Sequence, residues 1–534
     1  MKKLILIFLL LWINIHFSSA QIDVPGDLDN EYFRLLALKN EQVTHLGYWP
    51  TIDPFVDSLT WSLWDHRSKG DQFKEGLTIL NPGAKTHINS SYARGFNDGP
   101  VWKGKGITQE VNLGLRWKKN RLSVMFVPNI FYSQNLPFEL ATQIKDDVSP
   151  FSYQFANKFA VSYRVDWVQR YGDNAFVNFH PGQSEIRYQD RLWTVGVGTQ
   201  NFKWGPSILN PIILSRNAGG FPSLDIGTSR PIKMYFKDID LGTIDTKILL
   251  GRLSESNYFD SIPENDKRFF TGMSIGYSLP FLSNLVLGFN KVLYKQEQYF
   301  TPVDLAAWFW IFDNGIMVDS VQTRDTFDQL SSVFLDWKFQ EVDLRVYLEW
   351  ARNDFSGGWW SLTMEPEHSR AYTIGLEKVF DLARKKYFLF MLEHSNLVRS
   401  QSWRYRASPV YYQHIIIDQG YTHQGQLLGA GIGGGSMSQF IGMSVYDQKR
   451  LYGIDFQVIR FDDDYYSEMD LGWSQRPLYL RHQNEFNLGF KYQREYENWA
   501  IGAKMINSFF ANRYYVWDDR KYNLSLNIQF KYFL

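Results

Sequence analysis

From about Ile107 to the C-terminus the chain keeps a hydrophobic period of two residues. Val111, Leu113, Leu115 and Trp117 alternate with Asn112, Gly114 and Arg116, and beyond the tip Lys118-Lys119-Asn120 come Leu122, Val124 and Phe126. Ile244, Thr246, Ile248 and Leu250 alternate with Asp245 and Lys247, and Met273, Ile275, Tyr277 and Leu279 with Ser274, Gly276 and Ser278. In the hairpin Val333 to Trp350, one face carries Val333, Leu335, Trp337 and Phe339. After the tip Gln340-Glu341 it continues through Val342, Leu344, Val346, Leu348 and Trp350. Asp336, Lys338, Asp343, Arg345 and Glu349 fall on the other face. Successive side chains of a strand point to opposite sides, so each strand here has one apolar and one polar face.

Such faces fit a soluble β-sandwich with its apolar side on a core. They also fit a transmembrane barrel with its apolar side in lipid and its polar side on a lumen. Three features select the barrel. Met1 to Ala20 reads as a signal peptide, with Lys2-Lys3, apolar Leu4 to Ile13, and Ser18-Ser19-Ala20 before Gln21. Very short tips alternate with long connections such as about 353–371 and 395–411, as periplasmic turns and extracellular loops do. The chain also ends inside an amphipathic strand, Tyr522 to Leu534, like the terminal strand of outer-membrane barrels. No later run approaches the ~18 apolar residues of a membrane helix. A mature chain in a membrane therefore has to be a closed barrel, the only other fold that satisfies its backbone in lipid.

The aromatic content of 17% suits girdles at two membrane interfaces. Lys plus Arg, 56, balances Asp plus Glu, 56, which leaves no footprint of nucleic-acid binding. The absence of cysteine excludes disulfides, Cys-ligated metals and a lipid-anchored lipoprotein. The expectation is an all-β, antiparallel transmembrane barrel in the outer membrane, a monomer surrounded by its lipid. About 9–11 residues per spanning strand allow roughly 16–18 strands. The interior of so wide a barrel is either water-filled or plugged.

The expected organisation is signal peptide 1–20, N-terminal helical plug 21–95 and barrel 96–534. Leu28, Tyr32, Leu35 and Leu36 recur at helical spacing, and a second helix is expected from Asp53 and Pro54, with Val56, Leu59 and Leu63 on one face. Arg191 to Arg230 breaks the barrel pattern. It begins as a strand through Trp193, Val195 and Val197, then runs irregularly through Trp204-Gly205-Pro206, Ser215-Arg216-Asn217-Ala218 and Phe221-Pro222. Structureless segments longer than ~12–15 residues are uncommon in compact domains. This one reads either as a ligand-gripping element or as a long surface loop, and at its length it should enter the lumen or cap the extracellular mouth.

His180-Pro181-Gly182-Gln183-Ser184-Glu185-Ile186-Arg187, Trp204-Gly205-Pro206 and Leu214-Ser215-Arg216-Asn217-Ala218 together resemble the capsule assembly protein Wzi family. Arg230-Pro231, Gly251-Arg252-Leu253, Glu349-Trp350-Ala351-Arg352-Asn353-Asp354 and Glu365-Pro366-Glu367-His368-Ser369 continue the likeness. So do Tyr412-Gln413-His414 and Gly420 to Gln426. Lys203, where a second aromatic is common, and Arg216, where Asn is expected, depart from the pattern. The resemblance implies a barrel near 18 strands with a small periplasmic helical plug, acting as a lectin that holds capsular or exopolysaccharide at the cell surface. Relatives in gliding bacteria are linked to surface motility.

Sugar binding needs flat aromatic faces and forked donors and acceptors, and an anionic polysaccharide adds arginine. The candidate ligand residues are Trp204, Arg216, Asn217, Arg230, Arg252, Arg345, Glu349, Asn353, Asp354, Tyr412, His414, Tyr421 and Gln426. Each could equally tie loops and plug together inside a barrel. Gly272-Met273-Ser274-Ile275-Gly276 spells Gly-x-Ser-x-Gly but lies inside a period-two strand rather than on a strand-to-helix turn, and no His-Glu-x-x-His motif is present. Glu393-His394 would point to opposite faces of a strand. Asp462-Asp463-Asp464 reads as a solvated tip rather than a calcium site. The expectation is a non-enzymatic polysaccharide anchor without cofactor or metal. A porin and, more remotely, an outer-membrane hydrolase are the alternatives.

Overall fold

The structure, a computed structural model, describes residues 15–17, 24–40, 45–49, 63–64, 75–142, 149–153, 165–302, 304–305, 327–353, 362–406, 408, 410–414, 416–468 and 481–533. Its barrel closes with 18 strands. They are β1 (Gly76–Asn89), β2 (Gly106–Lys119), β3 (Leu122–Phe126 continued by Asn129–Ser133), β4 (Phe176–His180 continued by Glu185–Gln189) and β5 (Trp193–Gly198). Next come β6 (Ser223–Thr228 continued by Ile232–Phe236), β7 (Ile239–Ser254), β8 (Lys267–Leu279), β9 (Leu282–Gln296), β10 (Phe327–Phe339) and β11 (Leu344–Asn353). The wall is completed by β12 (Arg370–Leu382), β13 (Lys386–Asn396), β14 (Met437–Tyr446), β15 (Arg450–Phe461), β16 (Gln483–Glu495), β17 (Trp499–Ala511) and β18 (Arg520–Tyr532). Neighbours are antiparallel around the ring, and β18 pairs with β1, so no strand edge is left unpaired.

Register follows the hydrophobic alternation, because a slip of one residue would turn every apolar side chain inward. In the β10–β11 hairpin Val333 lies opposite Trp350, Leu335 opposite Leu348, and Trp337 opposite Val346. This row faces outward, with Val333 49% and Leu348 41% exposed, while Phe334 and Glu349 between them are buried in the lumen. At the tip Asp343 takes a left-handed φ of 48°. Short turns gather at one end of the barrel, the end expected to face the periplasm, and long connections at the other. No helix among the described residues is long and apolar enough to cross a membrane; the crossing is made by strands.

The barrel starts at Gly76, inside the 21–95 stretch expected to form the plug. The alternation of β1 is interrupted at Asn81-Pro82, where the register to β2 shifts between Leu80 and Gly83. Proline donates no ladder hydrogen bond, and the bulge hides the strand from a period-two reading. Upstream, the expected first helix is α1 (Asp29–Lys39). It lies in the lumen beside the short turns, with Tyr32, Phe33, Leu35 and Leu36 buried. Tyr32 stacks on Trp64 at 4.0 Å. Ion pairs tie the helix to the wall: Asp29 to Lys531 (2.8 Å) and Lys39 to Asp343 (2.7 Å) and Asp381 (2.6 Å). The second helix, expected from Asp53, lies outside the described residues. So does the expected signal peptide, apart from Ile15–Phe17, which run parallel to Leu77–Ile79.

A charge on the outer row should therefore destabilise the barrel. Leu348→Arg is expected to lower unfolding stability in lipid by about 2–4 kcal/mol, read by urea titration in phospholipid vesicles. An unchanged midpoint would place this row away from lipid.

Candidate functional site

Residues 199–222 leave the outer end of β5 and fold back into the lumen. Lys203 and Trp204 form a short antiparallel ladder with Trp49 and Tyr48 of the N-terminal segment. Trp204 is wholly buried, and its amide donates to Leu214 O at 3.0 Å. Its indole passes over β8 at Gly272, where a Cβ would lie 2.9 Å from Trp204 Cη2. Gly205 turns the chain with φ +79°, against the Glu349 carboxylate.

The tip of this segment is held by two inward carboxylates. Glu393 of β13 accepts the amides of Ile208 (2.5 Å), Leu209 (3.0 Å) and Asn210 (2.9 Å), and the Tyr347 hydroxyl (2.7 Å). Glu349 of β11 accepts from Ser207 Oγ (3.1 Å), the Ile212 amide (3.3 Å) and Ser332 Oγ (2.9 Å). Strand alternation aims both side chains inward. Converging backbone N–H groups make a concave anion site, and charge-assisted hydrogen bonds are roughly twice as strong as neutral ones. Glu393 was missed as a site residue because its sequence signal, the Glu-His neighbour pair, was weighed only for catalysis. His394 does point the other way, its Nδ1 3.2 Å from Ser438 O.

A second connection, 397–436, packs on the first. The Tyr412 hydroxyl donates to Ile212 O and accepts from the Ala430 amide, both at 2.8 Å. The Tyr421 hydroxyl donates to Ile213 O at 2.8 Å. Asn217 Nδ2 donates to Leu427 O (3.1 Å), and the Ser215 amide to Leu428 O (2.8 Å). A third connection packs on the second: the Asp166 amide donates to Gln419 O and the Val168 amide to Gly425 O, both at 2.9 Å.

The candidate residues thus divide. Trp204, Asn217, Glu349, Asn353, Tyr412 and Tyr421 come together, but they are buried and tie connections to each other or to the wall. Asn353, for example, donates to Val410 O at 3.2 Å. Arg216 and Arg345 line an internal cavity. Arg345 is held by Asp336 (2.7 Å), Glu377 (2.5 Å) and Pro206 O (2.9 Å). Arg252 sits on the outer face of the rim, paired with Glu297 at 2.6 Å. His414 and Gln426 are half-buried in the second connection, Arg230 is exposed near the short turns, and Asp354 lies outside the described residues.

Above the interlocked connections, the outer surface carries aromatic and basic groups that sequence reasoning did not single out. Tyr405 is 70% exposed. Arg399 lies 5.1 Å from the Trp403 ring centroid. Arg406 pairs with Glu365 (2.6 Å), and His368 Nδ1 meets Ser402 Oγ at 2.9 Å, which joins this turn to the neighbouring connection. Their signal, an aromatic–arginine cluster in Trp403-Arg404-Tyr405-Arg406, is legible in the sequence.

Asp462-Asp463-Asp464 is buried rather than a solvated tip. Asp464 accepts the Arg399 amide at 3.0 Å, and Asp462 accepts the Tyr465 amide at 3.1 Å. The chain folds back here because Gly435, with φ +67°, leaves room for the Asp462 carboxylate. Among the described residues no group of three His, Asp or Glu side chains could hold a metal ion.

Beneath the tip, between it and α1, lies a cavity of about 580 Å³. Lys203 and Arg216, the two departures from the family pattern, both line it.

Two outcomes follow from these contacts. Glu393→Ala should free the tip by orphaning three amides, each worth about 1–3 kcal/mol when left unsatisfied. Planar-bilayer recordings should then show conductance steps absent from the wild type, with the barrel still folded by gel mobility. Identical silence would mean that Glu393 does not hold the plug. Burial, and then the neighbouring Asp464, push the Asp462 carboxyl up to about 7. A raised pKa gives stability that is full below the ordinary aspartate range and lost as pH climbs through 7. Intrinsic-rate-corrected hydrogen exchange at residues 462–466 should therefore be slower at pH 5 than at pH 8, and Asp462→Asn should reduce the difference to the part that the similarly raised Asp464 carries.

The chain matches the model of the family "Capsule assembly protein Wzi" over residues 90–452. It is similar in fold to Wzi of Escherichia coli, described as an outer-membrane, carbohydrate-binding β-barrel involved in group 1 capsule assembly. That likeness has a TM-score of 0.62 and 11% identity, and covers 96% of this chain and 99% of that one. Acinetobacter baumannii OccAB4 (10% identity, 85% and 97% covered, TM-score 0.39) and Pseudomonas aeruginosa OprD (7%, 85% and 94%, 0.40) are more distant barrels. No curated protein sequence matches the chain. With the family model spanning more than half of its length, this closed outer-membrane barrel belongs to the capsule assembly protein Wzi family.

Proposed function

We propose that the protein is a non-catalytic lectin of the outer membrane that holds capsular or other surface polysaccharide at the cell surface, as a monomer in the lipid. The carrying observation is the interlocking of long connections across the lumen, centred on residues 207–217 and 411–430. A diffusion porin needs an open lumen, whereas this arrangement gives a shaped outer surface above a filled one. The E. coli barrel of the same fold binds carbohydrate, in line with this reading.

On that surface Tyr405 and Trp403 offer ring faces for the apolar side of a sugar, and Arg404 and Arg406 offer forked donors. Arg252 and, lower down, His414 and Gln426 lie on the same side of the barrel and extend the polar contact. Arg216 lies below the connections and belongs to the cavity.

Deleting the gene should leave polysaccharide synthesis intact and release the product into the medium. Unchanged cell-bound polysaccharide would overturn the reading. Tyr405→Ala should weaken binding of the cell's own polysaccharide by roughly tenfold, about 1.4 kcal/mol, the scale of one half-buried aromatic face. Surface plasmon resonance on detergent-solubilised protein measures this, and unchanged affinity would remove the 401–406 turn from the binding surface.

A further inference from the structure

The cavity between α1 and the plug tip has a composition that packing alone does not call for. Its other cations have partners: Lys103 meets Asp98 (2.6 Å), Arg345 meets Asp336 (2.7 Å) and Lys491 meets Asp455 (2.8 Å). Among the described residues the Lys203 ammonium makes no hydrogen bond and no ion pair, and it lines the cavity. Its backbone is held by the ladder to Tyr48 and Trp49 beside the buried indole of Trp204, and its half-buried side chain lines the cavity.

The surrounding charges make this position costly. Burial first, and then Arg34, Arg216 and Arg345, hold the Lys203 amine well below the usual lysine range. Glu393 opposes these cations, but its oxygens already accept three backbone amides and a tyrosine hydroxyl. An unpaired charge taken out of water destabilises a fold. An oxyanion among these cations would reverse the sign of the interaction, with the ammonium as a point charge and guanidinium as a fork. A volume of about 580 Å³ falls in the range of small-molecule sites. The lining extends to Ser283, Asn284 and Gln340 beside the short turns, which sets the approach from the periplasmic side.

We propose that this chamber binds a small oxyanion, a carboxylate- or phosphate-bearing molecule of about monosaccharide size, with Lys203 as its principal contact and Arg34 and Arg216 in its lining. The site faces away from the outer surface. It stands or falls independently of polysaccharide binding there.

The test is isothermal titration calorimetry on the full-length, detergent-solubilised barrel with galacturonate, inorganic phosphate and galactose. Saturable binding of at least one anion is expected, and no binding of galactose. Preference for galacturonate identifies a sugar acid as the ligand class; preference for phosphate identifies a phosphoryl group. Lys203→Met should weaken anion binding at least tenfold while raising the melting temperature of the unliganded protein, because it removes an amine whose protonation burial and the neighbouring arginines oppose. That rise separates loss of a site from loss of a fold. Wild-type protein that binds neither anion, or galactose bound as well as galacturonate, overturns the proposal. So does a Lys203→Met variant that binds like the wild type.

Discussion

A carboxylate buried inside the barrel organises the lumen. Glu393 collects the amides of Ile208, Leu209 and Asn210 at the lowest point of a connection that starts at the outer rim. An irregular segment inside a barrel must find partners for its own backbone, since a buried unpaired N–H is expensive. Glu393 and Glu349 supply those partners from adjacent regions of the wall. Once they fix the tip, Trp204 is pinned over Gly272, Ile212 and Ile213 present their carbonyls to Tyr412 and Tyr421, and the second connection docks on the first. The filled lumen thus depends on inward polar residues whose placement is set by the period of two.

The two ends of the barrel are closed by different means. At the short-turn end, α1 lies in the lumen and is tied by ion pairs to the turns themselves, through Lys39 with Asp343 and Asp381. At the other end, long connections mate through backbone and tyrosine hydrogen bonds. The charged chamber is what remains between these two plugs, and the aromatic–arginine turn at Trp403 to Arg406 is what remains above them. A wall that was open to solvent on the inside would have no reason to bury Glu349 and Glu393 so fully.

Much of the wall was legible in the sequence. Val333 to Trp350 pairs in the register its alternation demands, because any other register would turn leucines into the lumen and charges into lipid. The helix around Tyr32 and Leu36 was legible for the same kind of reason, its 3.6-residue spacing. The start of the wall at Gly76 was not, because Asn81-Pro82 breaks the period where the strand bulges. The site was half legible. Trp204, Asn217, Tyr412 and Tyr421 do converge, as their residue types suggested. Yet a tyrosine hydroxyl or an asparagine amide that can hold a sugar can equally hold a carbonyl, and sequence carries no distance to tell the two apart. The structure gives these residues to the plug and moves the accessible aromatic surface outward, to Trp403 and Tyr405.

The outer surface of the filled barrel is proposed to recognise carbohydrate. A glycan array probed with the detergent-solubilised protein tests it most directly. Retention on a defined subset of capsule-type oligosaccharides, lost when Trp403 and Tyr405 are both replaced by alanine, is the predicted result. No retention on any glycan, with large stable conductance steps from the same preparation in a planar bilayer, would contradict it.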